Sequence, residues 1–262
     1  RENGKLKKTS WSKALKMLVS KLQSVKPNEV AGMVGDLADL EMIYSFKYFF
    51  EKCIGSKNFE CRQEKIYLNP EERMNYIFNS KINGIEETDF ILLVGTNPRL
   101  EATVLNARIK KAHSKNKFEI FSIGDAGDLT FPYKLVGSDT SIIEKICSGE
   151  HQISEKITRS KKPLIIIGES ALIGETGKYV FETLKNFLFK SNLIRKDWNA
   201  LNILTQQASR VGAIDLGIYN ITEENNFIFF DKLKNNNFKF LFLMGADNIN
   251  FDKKDKFIIY QG

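Results

Sequence analysis

The sequence has few of the residues that usually hold metal clusters or disulfides. It contains three cysteines, Cys53, Cys61 and Cys147, and two histidines among 262 residues. No two cysteines form a C-x-x-C pair, whereas an iron–sulfur cluster or a structural zinc site needs about four soft ligands, partly clustered along the chain. The scarcity predicts that this segment holds no metal, and three cysteines at this length also exclude a disulfide framework.

Long apolar runs are absent as well. A helix that spans a bilayer needs about 20 mostly apolar residues, whereas the longest runs here, such as Phe90–Gly95 and Phe238–Met244, have the length of strands. No signal or transit peptide is recognisable. We therefore expect no direct membrane insertion.

A basic stripe with interleaved aromatic residues is also missing. The net charge is +7, and the lysines and arginines are scattered apart from short clusters near the two ends, Lys5–Lys8 and Lys253–Lys256. A nucleic-acid groove needs basic and aromatic side chains gathered on one surface. The charge pattern therefore predicts a solvated surface and no nucleic-acid partner.

What the sequence does contain is a repeated unit, a short apolar run that ends in glycine and is followed by helical spacing. Continuous apolar runs are typical of parallel strands buried on both faces, and crossover helices follow such strands in α/β proteins. The pattern predicts an α/β fold with mostly parallel sheets and Rossmann-like strand–Gly–helix units, with a first lobe at 1–150 and a second at 151–262. Six strands are predicted, at Val30–Gly35, Phe90–Gly95, Phe118–Ile123, Pro163–Gly168, Phe240–Gly245 and Phe257–Tyr260.

Helices are predicted between these strands from apolar residues that recur three or four positions apart. One is expected to begin at Asp36, whose carboxylate can cap it, and to continue to Phe50. A further helix is indicated by the spacing of Leu201, Leu204, Ala208 and Val211. The charged stretch 54–75 has no clean period and is expected to form a long irregular connection.

The strand ends that carry glycine are candidate anion sites, because backbone N–H groups at the start of the following helix attract phosphate. The most distinctive loop is Thr96-Asn97-Pro98-Arg99, in which Asn97 and Arg99 can grip a phosphate or nucleobase, or fasten the loop to a neighbouring segment. No loop has the G-x-G-x-x-G or Walker A pattern, and glycine also permits a simple tight turn. The candidate cofactor-binding residues are Gly95, Thr96, Asn97, Arg99, Gly168 and Gly245.

No residue pattern indicates catalysis. Cys61 lies between Glu60 and Arg62 with no histidine nearby in sequence, and an activated thiolate needs more positive surroundings than one arginine gives. Three acidic residues that could act as acids or bases stand in polar turns, where capping is commoner: Asp125, Asp128 and Glu169. The sequence predicts no catalytic residue.

Several segments, taken in order, resemble one family. They are Asn79–Lys111, which includes Gly-Thr-Asn-Pro-Arg at 95–99, then Pro163–Leu172, Trp198–Gly217, Leu243–Asp247 and Phe257–Gly262. Together they resemble the large iron–sulfur (75 kDa) subunits of respiratory complex I, in their C-terminal molybdopterin-oxidoreductase-like part, over nearly the whole chain. The Gly-Thr-Asn-Pro-Arg loop also occurs, in looser form, across molybdopterin oxidoreductases.

The resemblance implies a structural or assembly role in the NADH-dehydrogenase module of the peripheral arm. In that family the N-terminal region carries Fe–S clusters, whereas the C-terminal region resembles formate dehydrogenase but has lost its pterin and metal. We therefore expect no cofactor in this chain, vestigial glycine loops, and Fe–S clusters on an absent N-terminal region or a partner chain. The second lobe is expected to stop short of the family's full domain. Expected partners are the Fe–S domain of the same subunit, the flavin-binding subunit and other peripheral-arm subunits.

The expected location is the matrix side of the mitochondrial inner membrane. The chain contains 31 lysines, 28 isoleucines, 22 asparagines and 20 phenylalanines. Codons for these residues are rich in A and T, so the composition favours an A/T-rich genome, such as a mitochondrial one.

An active molybdopterin-dependent oxidoreductase fragment, similar to formate dehydrogenase, is the alternative. In it the loops Gly95–Arg99 and Gly245–Asp247 would cradle the pterin nucleotide. Cys61 falls near the usual place of the metal ligand, but Phe59–Gln63 lacks the His and Pro that usually follow such a ligand. A nicotinamide-dependent dehydrogenase is less favoured, because G-x-G-x-x-G is missing.

Overall fold

Two parallel sheets organise the chain in the computed structural model, which describes residues 5–262. All pairs of neighbouring strands in these sheets are parallel. The strands are β1 Val30–Val34, β2 Phe59–Glu60, β3 Phe90–Val94, β4 Glu119–Ile123, β5 Lys134–Gly137, β6 Pro163–Gly168, β7 Leu201–Leu204, β8 Phe240–Met244 and β9 Phe257–Gln261. The prediction of an α/β fold with parallel sheets is confirmed.

The helices of the described chain vary in length from one turn to nearly five. The α-helices are α1 Trp11–Gln23, α2 Leu40–Tyr48, α3 Lys81–Gly84, α4 Pro98–Glu101, α5 Thr103–Asn116, α6 Ser141–Ser148, α7 Gln152–Arg159, α8 Gly174–Lys190, α9 Arg210–Asp215 and α10 Ile228–Lys234. A π-helical turn, Phe49–Ile54, continues α2. Short 3-10 turns lie at Pro27–Glu29, Arg73–Asn75, Ile85–Glu87 and Glu169–Leu172.

The chain divides into two compact units, and one of them is discontinuous in sequence. The split unit consists of the chain up to Gln63 together with Gly212–Gly262, and the inserted unit consists of Glu64–Val211. The division differs from the lobes 1–150 and 151–262 expected from the sequence. The reason is that β1 pairs along its whole length with β8, from Val30 opposite Phe240 onwards, so the two ends of the chain share one sheet.

The inserted unit has the strand order β5-β4-β3-β6-β7. Its central strand, β3, is apolar throughout and buried at every position, as expected for a parallel strand covered on both faces. Helix α8 contributes Val180, Phe181, Leu184 and Leu188 to the same core. Each such side chain contributes about 1.5–3 kcal/mol by leaving water, so the centre of this unit is its most strongly stabilised part.

The split unit has the strand order β2-β1-β8-β9. Helix α10 packs Phe229 and Leu233 into a core with Ala31, Met33 and Leu241. The aromatic face of α2 adds a stack in which the ring centroids of Phe46 and Phe50 lie 4.5 Å apart, with Phe242 of β8 5.7 Å from Phe46. Side chains from both helices therefore hold this small sheet.

Two local predictions are corrected. Leu201–Leu204 forms the strand β7, not a helix: all four residues are buried and pair with Ile165–Gly168, and α9 begins only at Arg210. The helix α2 is capped by Asp39, whose carboxylate accepts from the N–H of Met42 at 2.7 Å, because the turn after β1 occupies 35–38. The spacing of Leu201 and Leu204 suits a helix, but edge pairing with β6 decides the structure.

Asp89 joins the starts of the two central strands of the inserted unit. Its carboxylate accepts hydrogen bonds from the N–H groups of Lys161 and Lys162, at 2.8 and 2.9 Å, and from the Ser160 hydroxyl. Partial burial raises the pKa of Asp89, but these three donors outweigh that effect and leave the pKa below its usual value. The carboxylate therefore stabilises the fold above the unfolded pKa of about 3.9, and this contribution is lost as the pH falls through the folded value.

Asp89→Asn is expected to lower the free energy of unfolding by about 1–2 kcal/mol at pH 7. The difference from the native sequence should shrink as the pH falls from about 4 through the lower folded pKa of Asp89, because the native carboxyl becomes neutral over that range. Urea unfolding at several pH values between 7 and about 3 measures this difference in stability, with Asp252→Asn in an exposed turn as the control. An equal loss at both ends of the pH range would show that the charge of Asp89 is not what stabilises the turn.

Candidate functional site

Five of the six candidate residues meet at one point of the inserted unit. Within the sheet, β4 and then β5 lie on one side of β3, whereas β6 and then β7 lie on its other side. In open α/β sheets, ligands bind at the carboxyl ends of the strands where the order reverses in this way. Gly95–Arg99 follows β3 and Gly168 ends β6, so both loops flank the reversal point.

At this point the two loops are in direct contact. A side-chain carbon on Gly168 would lie 2.4 Å from the carbonyl oxygen of Gly95 and 2.6 Å from Cβ of Thr96. The hydroxyl of Ser170 donates a hydrogen bond to the same Gly95 oxygen, and a side-chain carbon on Gly95 would lie 2.7 Å from Cβ of Ala171. Glycine is required here because the backbones touch, and a nucleotide between them would require the loops to separate.

Two donors of the Thr96–Arg99 loop form hydrogen bonds with a carboxylate of the same chain. Glu101 accepts from the Thr96 hydroxyl at 2.6 Å and from the N–H of Asn97 at 2.9 Å. The side-chain oxygen of Asn97 in turn accepts from the N–H of Leu100 at 3.2 Å, as the cap of α4. The place at which such a turn would take an anion is therefore filled by Glu101.

Arg99 is directed to the loop that follows β4. It forms an ion pair with Asp128 and also donates to the Asp128 carbonyl oxygen at 3.1 Å. The N–H of Thr130 and, secondarily, Arg99 lower the pKa of Asp128. The neighbouring Asp125 accepts from the N–H of Gly127 and the Tyr133 hydroxyl, both at 2.9 Å. These contacts match the fastening and capping roles considered for the residues in the sequence.

Gly245, the sixth candidate, lies at the corresponding point of the split unit. It follows β8, where the order β2-β1-β8-β9 reverses, and it faces Gly35, which follows β1. A side-chain carbon on Gly35 would lie 1.7 Å from the carbonyl oxygen of Gly245, and the N–H of Gly35 donates to Met244 at 2.7 Å. This reversal point is also closed by glycine backbones in contact.

Sequence reasoning missed a buried ion pair between Glu60 and Arg62, the two residues that flank Cys61 in the sequence. Arg62 binds both carboxylate oxygens of Glu60, from Nε at 3.0 Å and from a terminal nitrogen at 2.7 Å, and both side chains are almost fully buried. Arg62 also donates to the side-chain oxygen of Asn226 at 2.8 Å and to its carbonyl oxygen at 3.0 Å. Burial lowers the pKa of Arg62, but the charge of Glu60 outweighs it and leaves the pKa raised. Cys61 is buried between these partners.

A second buried pair lies beside Gly168. Glu169 accepts from Arg210 at 3.1 Å, and Arg210 also donates to Gln207 at 3.0 Å. The sequence placed Glu169 in an exposed polar turn, but the structure buries it. The only sequence signal was an arginine about 40 positions away, and nothing local connects the two residues.

The described residues contain no group of three or more His, Cys, Asp or Glu side chains placed to hold a metal ion. Cys53 is exposed, whereas Cys147 is half-buried, and burial raises the pKa of its thiol to about 12. Within residues 5–262, every helix is too short or too polar to cross a bilayer.

Comparison with known proteins gives a match along the whole chain. The family model described as molybdopterin oxidoreductase matches residues 1–262. The chain is 36% identical over 276 residues to the NADH-ubiquinone oxidoreductase 75 kDa subunit of Reclinomonas americana, covering 100% of this chain and 40% of that protein. It is 34% identical over 262 residues to the mitochondrial NADH dehydrogenase [ubiquinone] iron-sulfur protein 1 of Solanum tuberosum, covering 99% of this chain and 34% of that protein.

A bacterial relative is equally similar. The chain is 36% identical over 265 residues to a subunit of the NADH-quinone oxidoreductase of Rickettsia bellii, covering 100% of this chain and 37% of that protein. The chain thus spans 40% or less of the length of each of these three relatives.

Proposed function

Because the chain belongs to the molybdopterin oxidoreductase family, we propose that it is the molybdopterin-oxidoreductase-like region of a large iron–sulfur subunit of respiratory complex I. Its role is structural. It supports the transfer of electrons from NADH to quinone by holding neighbouring parts of the complex in place, and it carries no redox group itself. The similarity to three NADH–quinone oxidoreductase subunits, each matched over at least 99% of this chain, supports the proposal.

The observation that carries the structural role is the carboxylate of Glu101 inside the Thr96–Arg99 loop. A phosphate bound at this loop would need the hydrogen bonds that Thr96 and Asn97 now donate to Glu101, and two anions cannot share these donors. The contact of Gly95 with Gly168 leaves no gap for the nucleotide. The residues present therefore do not fit the family's cofactor at this loop.

The proposed partners are those that the resemblance to the large iron–sulfur subunits implies. They are the Fe–S domain of the same subunit, the flavin-binding subunit and other peripheral-arm subunits. The proposed location is the matrix side of the mitochondrial inner membrane. Relatives come both from mitochondria and from bacteria, and the Lys-, Ile- and Asn-rich composition supports the mitochondrial choice and an A/T-rich genome.

Native electrophoresis of a mild-detergent membrane extract tests the proposal. We expect the chain, identified by mass spectrometry, to migrate with flavin and Fe–S subunits in a large band that stains for NADH oxidation. Molybdenum and tungsten, measured in the purified band, should be far below one atom per chain.

Two outcomes would contradict the proposal in different ways. A chain that migrates alone as a small species would remove the respiratory role. Stoichiometric molybdenum or tungsten would instead support the alternative, an active molybdopterin-dependent oxidoreductase. The Glu101 carboxylate would then have to leave the loop when the cofactor binds.

A further inference from the structure

The Thr96–Arg99 loop is held by a glutamate that follows it in the chain. Oε2 of Glu101 accepts from the Thr96 hydroxyl at 2.6 Å, and Oε1 accepts from the N–H of Asn97 at 2.9 Å. Each carboxylate oxygen thus binds one donor of the loop. Hydrogen bonds to an ionised carboxylate are roughly twice as strong as those between neutral groups, so this one side chain fixes two consecutive residues.

This arrangement differs from an ordinary helix cap. In a capping box the glutamate stands three residues after the cap and supports the helix that follows. Glu101 stands four residues after the cap, Asn97, and is the last residue of α4, which has only four residues. Its other donor, the hydroxyl of Thr96, lies before the cap. The carboxylate therefore stabilises the loop, because there is little helix for it to support.

The donors that Glu101 binds are of the kind that bind phosphate in proteins. Backbone N–H groups in a turn after a strand form concave sites for anions, and this turn begins at Gly95, whose φ is +56°. Pro98 has no N–H, and the N–H of Leu100 donates to the side chain of Asn97. The Thr96 hydroxyl and the Asn97 N–H are therefore the donors for which a phosphate would compete with Glu101.

Solvent reaches the carboxylate but not the hydroxyl that it binds. Glu101 is half-buried, whereas Thr96 is almost fully buried. Truncation of Glu101 to alanine would open a space of the size of its CH2–COO⁻ group beside the two donors. A buried donor without a partner costs free energy, so an anion from solution would bind in the place of the lost carboxylate.

We propose that the Glu101 carboxylate is a built-in substitute for a bound phosphate. It occupies the two loop donors permanently and makes the conformation of the loop independent of anions in solution. The inference rests on the proposed function and deepens it, because it names the group that gives this loop a purely structural role. Once the carboxylate is removed, the loop should depend on an external anion.

Amide hydrogen exchange of the full chain, read at Asn97, tests the proposal with inorganic phosphate as the probe. In the native chain exchange at Asn97 should be slow, with or without phosphate. In Glu101→Ala it should be about tenfold faster or more, since a hydrogen bond to a charged group is lost. Saturating phosphate should restore most of the protection, whereas sodium chloride at the same ionic strength should not.

Glu101→Gln is the second variant, because it keeps the volume of the side chain and removes its charge. Phosphate should give it no protection at Asn97, since the amide fills the space that the anion needs. Glu175→Ala removes an exposed glutamate from the first turn of α8. It controls for the general effect of losing such a carboxylate, and its exchange at Asn97 should equal that of the native chain.

Three results would overturn the proposal. Slow exchange at Asn97 in Glu101→Ala would show that the carboxylate does not hold the loop. Fast exchange that phosphate leaves unchanged would reduce Glu101 to a local cap. Equal slowing by phosphate in Glu101→Gln would show that the anion acts elsewhere. If Glu101→Ala does not fold, refolding on addition of phosphate and not of chloride is the expected result, and its absence overturns the proposal.

The two proposals fail separately. If the chain migrates in the NADH-oxidising band but phosphate has no effect on Glu101→Ala, the substitute role of Glu101 is wrong and the proposed function stands. If the chain migrates outside that band yet phosphate restores the protection of Asn97, the respiratory role fails and the role of Glu101 stands.

Discussion

Arg62→Ala is expected to lower the free energy of unfolding by about 3–5 kcal/mol, a large part of the roughly 5–15 kcal/mol that native proteins have. The substitution removes a guanidinium that binds both oxygens of Glu60 and both side-chain and backbone oxygens of Asn226. It leaves the Glu60 carboxylate buried without its counter-charge, which costs more than the pair itself contributes. Thermal and urea unfolding of the purified chain measure the loss.

Arg159→Ala is the matched control for this prediction. Arg159 also forms an ion pair, with Glu155 one helical turn earlier, but both side chains are largely exposed. Exposed pairs of this kind contribute about 0.3–0.5 kcal/mol. If Arg62→Ala cost no more than Arg159→Ala, the Glu60–Arg62 pair would not be a structural clamp, and Asn226 would need another anchor.

Gly35→Ala is expected to cost about 3 kcal/mol or more, because the new methyl group would lie 1.7 Å from the carbonyl oxygen of Gly245. The obstacle is backbone and cannot rotate away, so β1 and β8 must move apart at their carboxyl ends. The N–H of Gly35 would then lose its bond to Met244. Circular dichroism on heating measures the effect as a lower unfolding midpoint.

Gly149→Ala separates this clash from backbone strain. Gly149 ends α6 with φ at +88°, and a side-chain carbon there would meet no atom within 4 Å. Left-handed strain alone should cost about 1–2 kcal/mol. A similar loss for both variants would mean that the contact of Gly35 with Gly245 relaxes easily and does not seal this end of the sheet.

The central strands and the edge strand β9 could be predicted from the sequence, whereas the edge strands β2, β5 and β7 could not. Strands β3, β6 and β8 are buried on both faces. Because no side chain of such a strand faces water, its sequence is a continuous apolar run, which can be recognised without a structure. The edge strand β5 has two exposed and two half-buried residues, and β2 has only two residues. In β7 the leucines three apart suit a helix equally well, and only pairing with Ile165–Gly168 makes this segment a strand.

The glycines of the candidate site could be predicted from the sequence, but the side-chain contacts that close the site could not. Gly95, Gly168 and Gly245 stand at strand ends in the sequence, where a tight turn is required. That Glu101 turns back onto Thr96 and Asn97 depends on the short helix α4, whose beginning is set by Pro98. The buried pairs of Glu60 with Arg62 and of Glu169 with Arg210 depend on packing, which no local pattern encodes.

The pairing of β1 with β8 also determines the order in which the chain can fold during synthesis. The partner of Val30, Phe240, lies 210 positions later in the chain. Synthesis of that stretch at roughly 5–20 residues per second takes about 10–40 s. The inserted unit, whose strands all lie within 64–211, can complete its sheet on the ribosome before that. During the interval β1 is an apolar strand without its main partner, the kind of segment that associates wrongly with other chains. The yield of folded protein is then expected to depend on how well nascent β1 is kept from such contacts until β8 has been made.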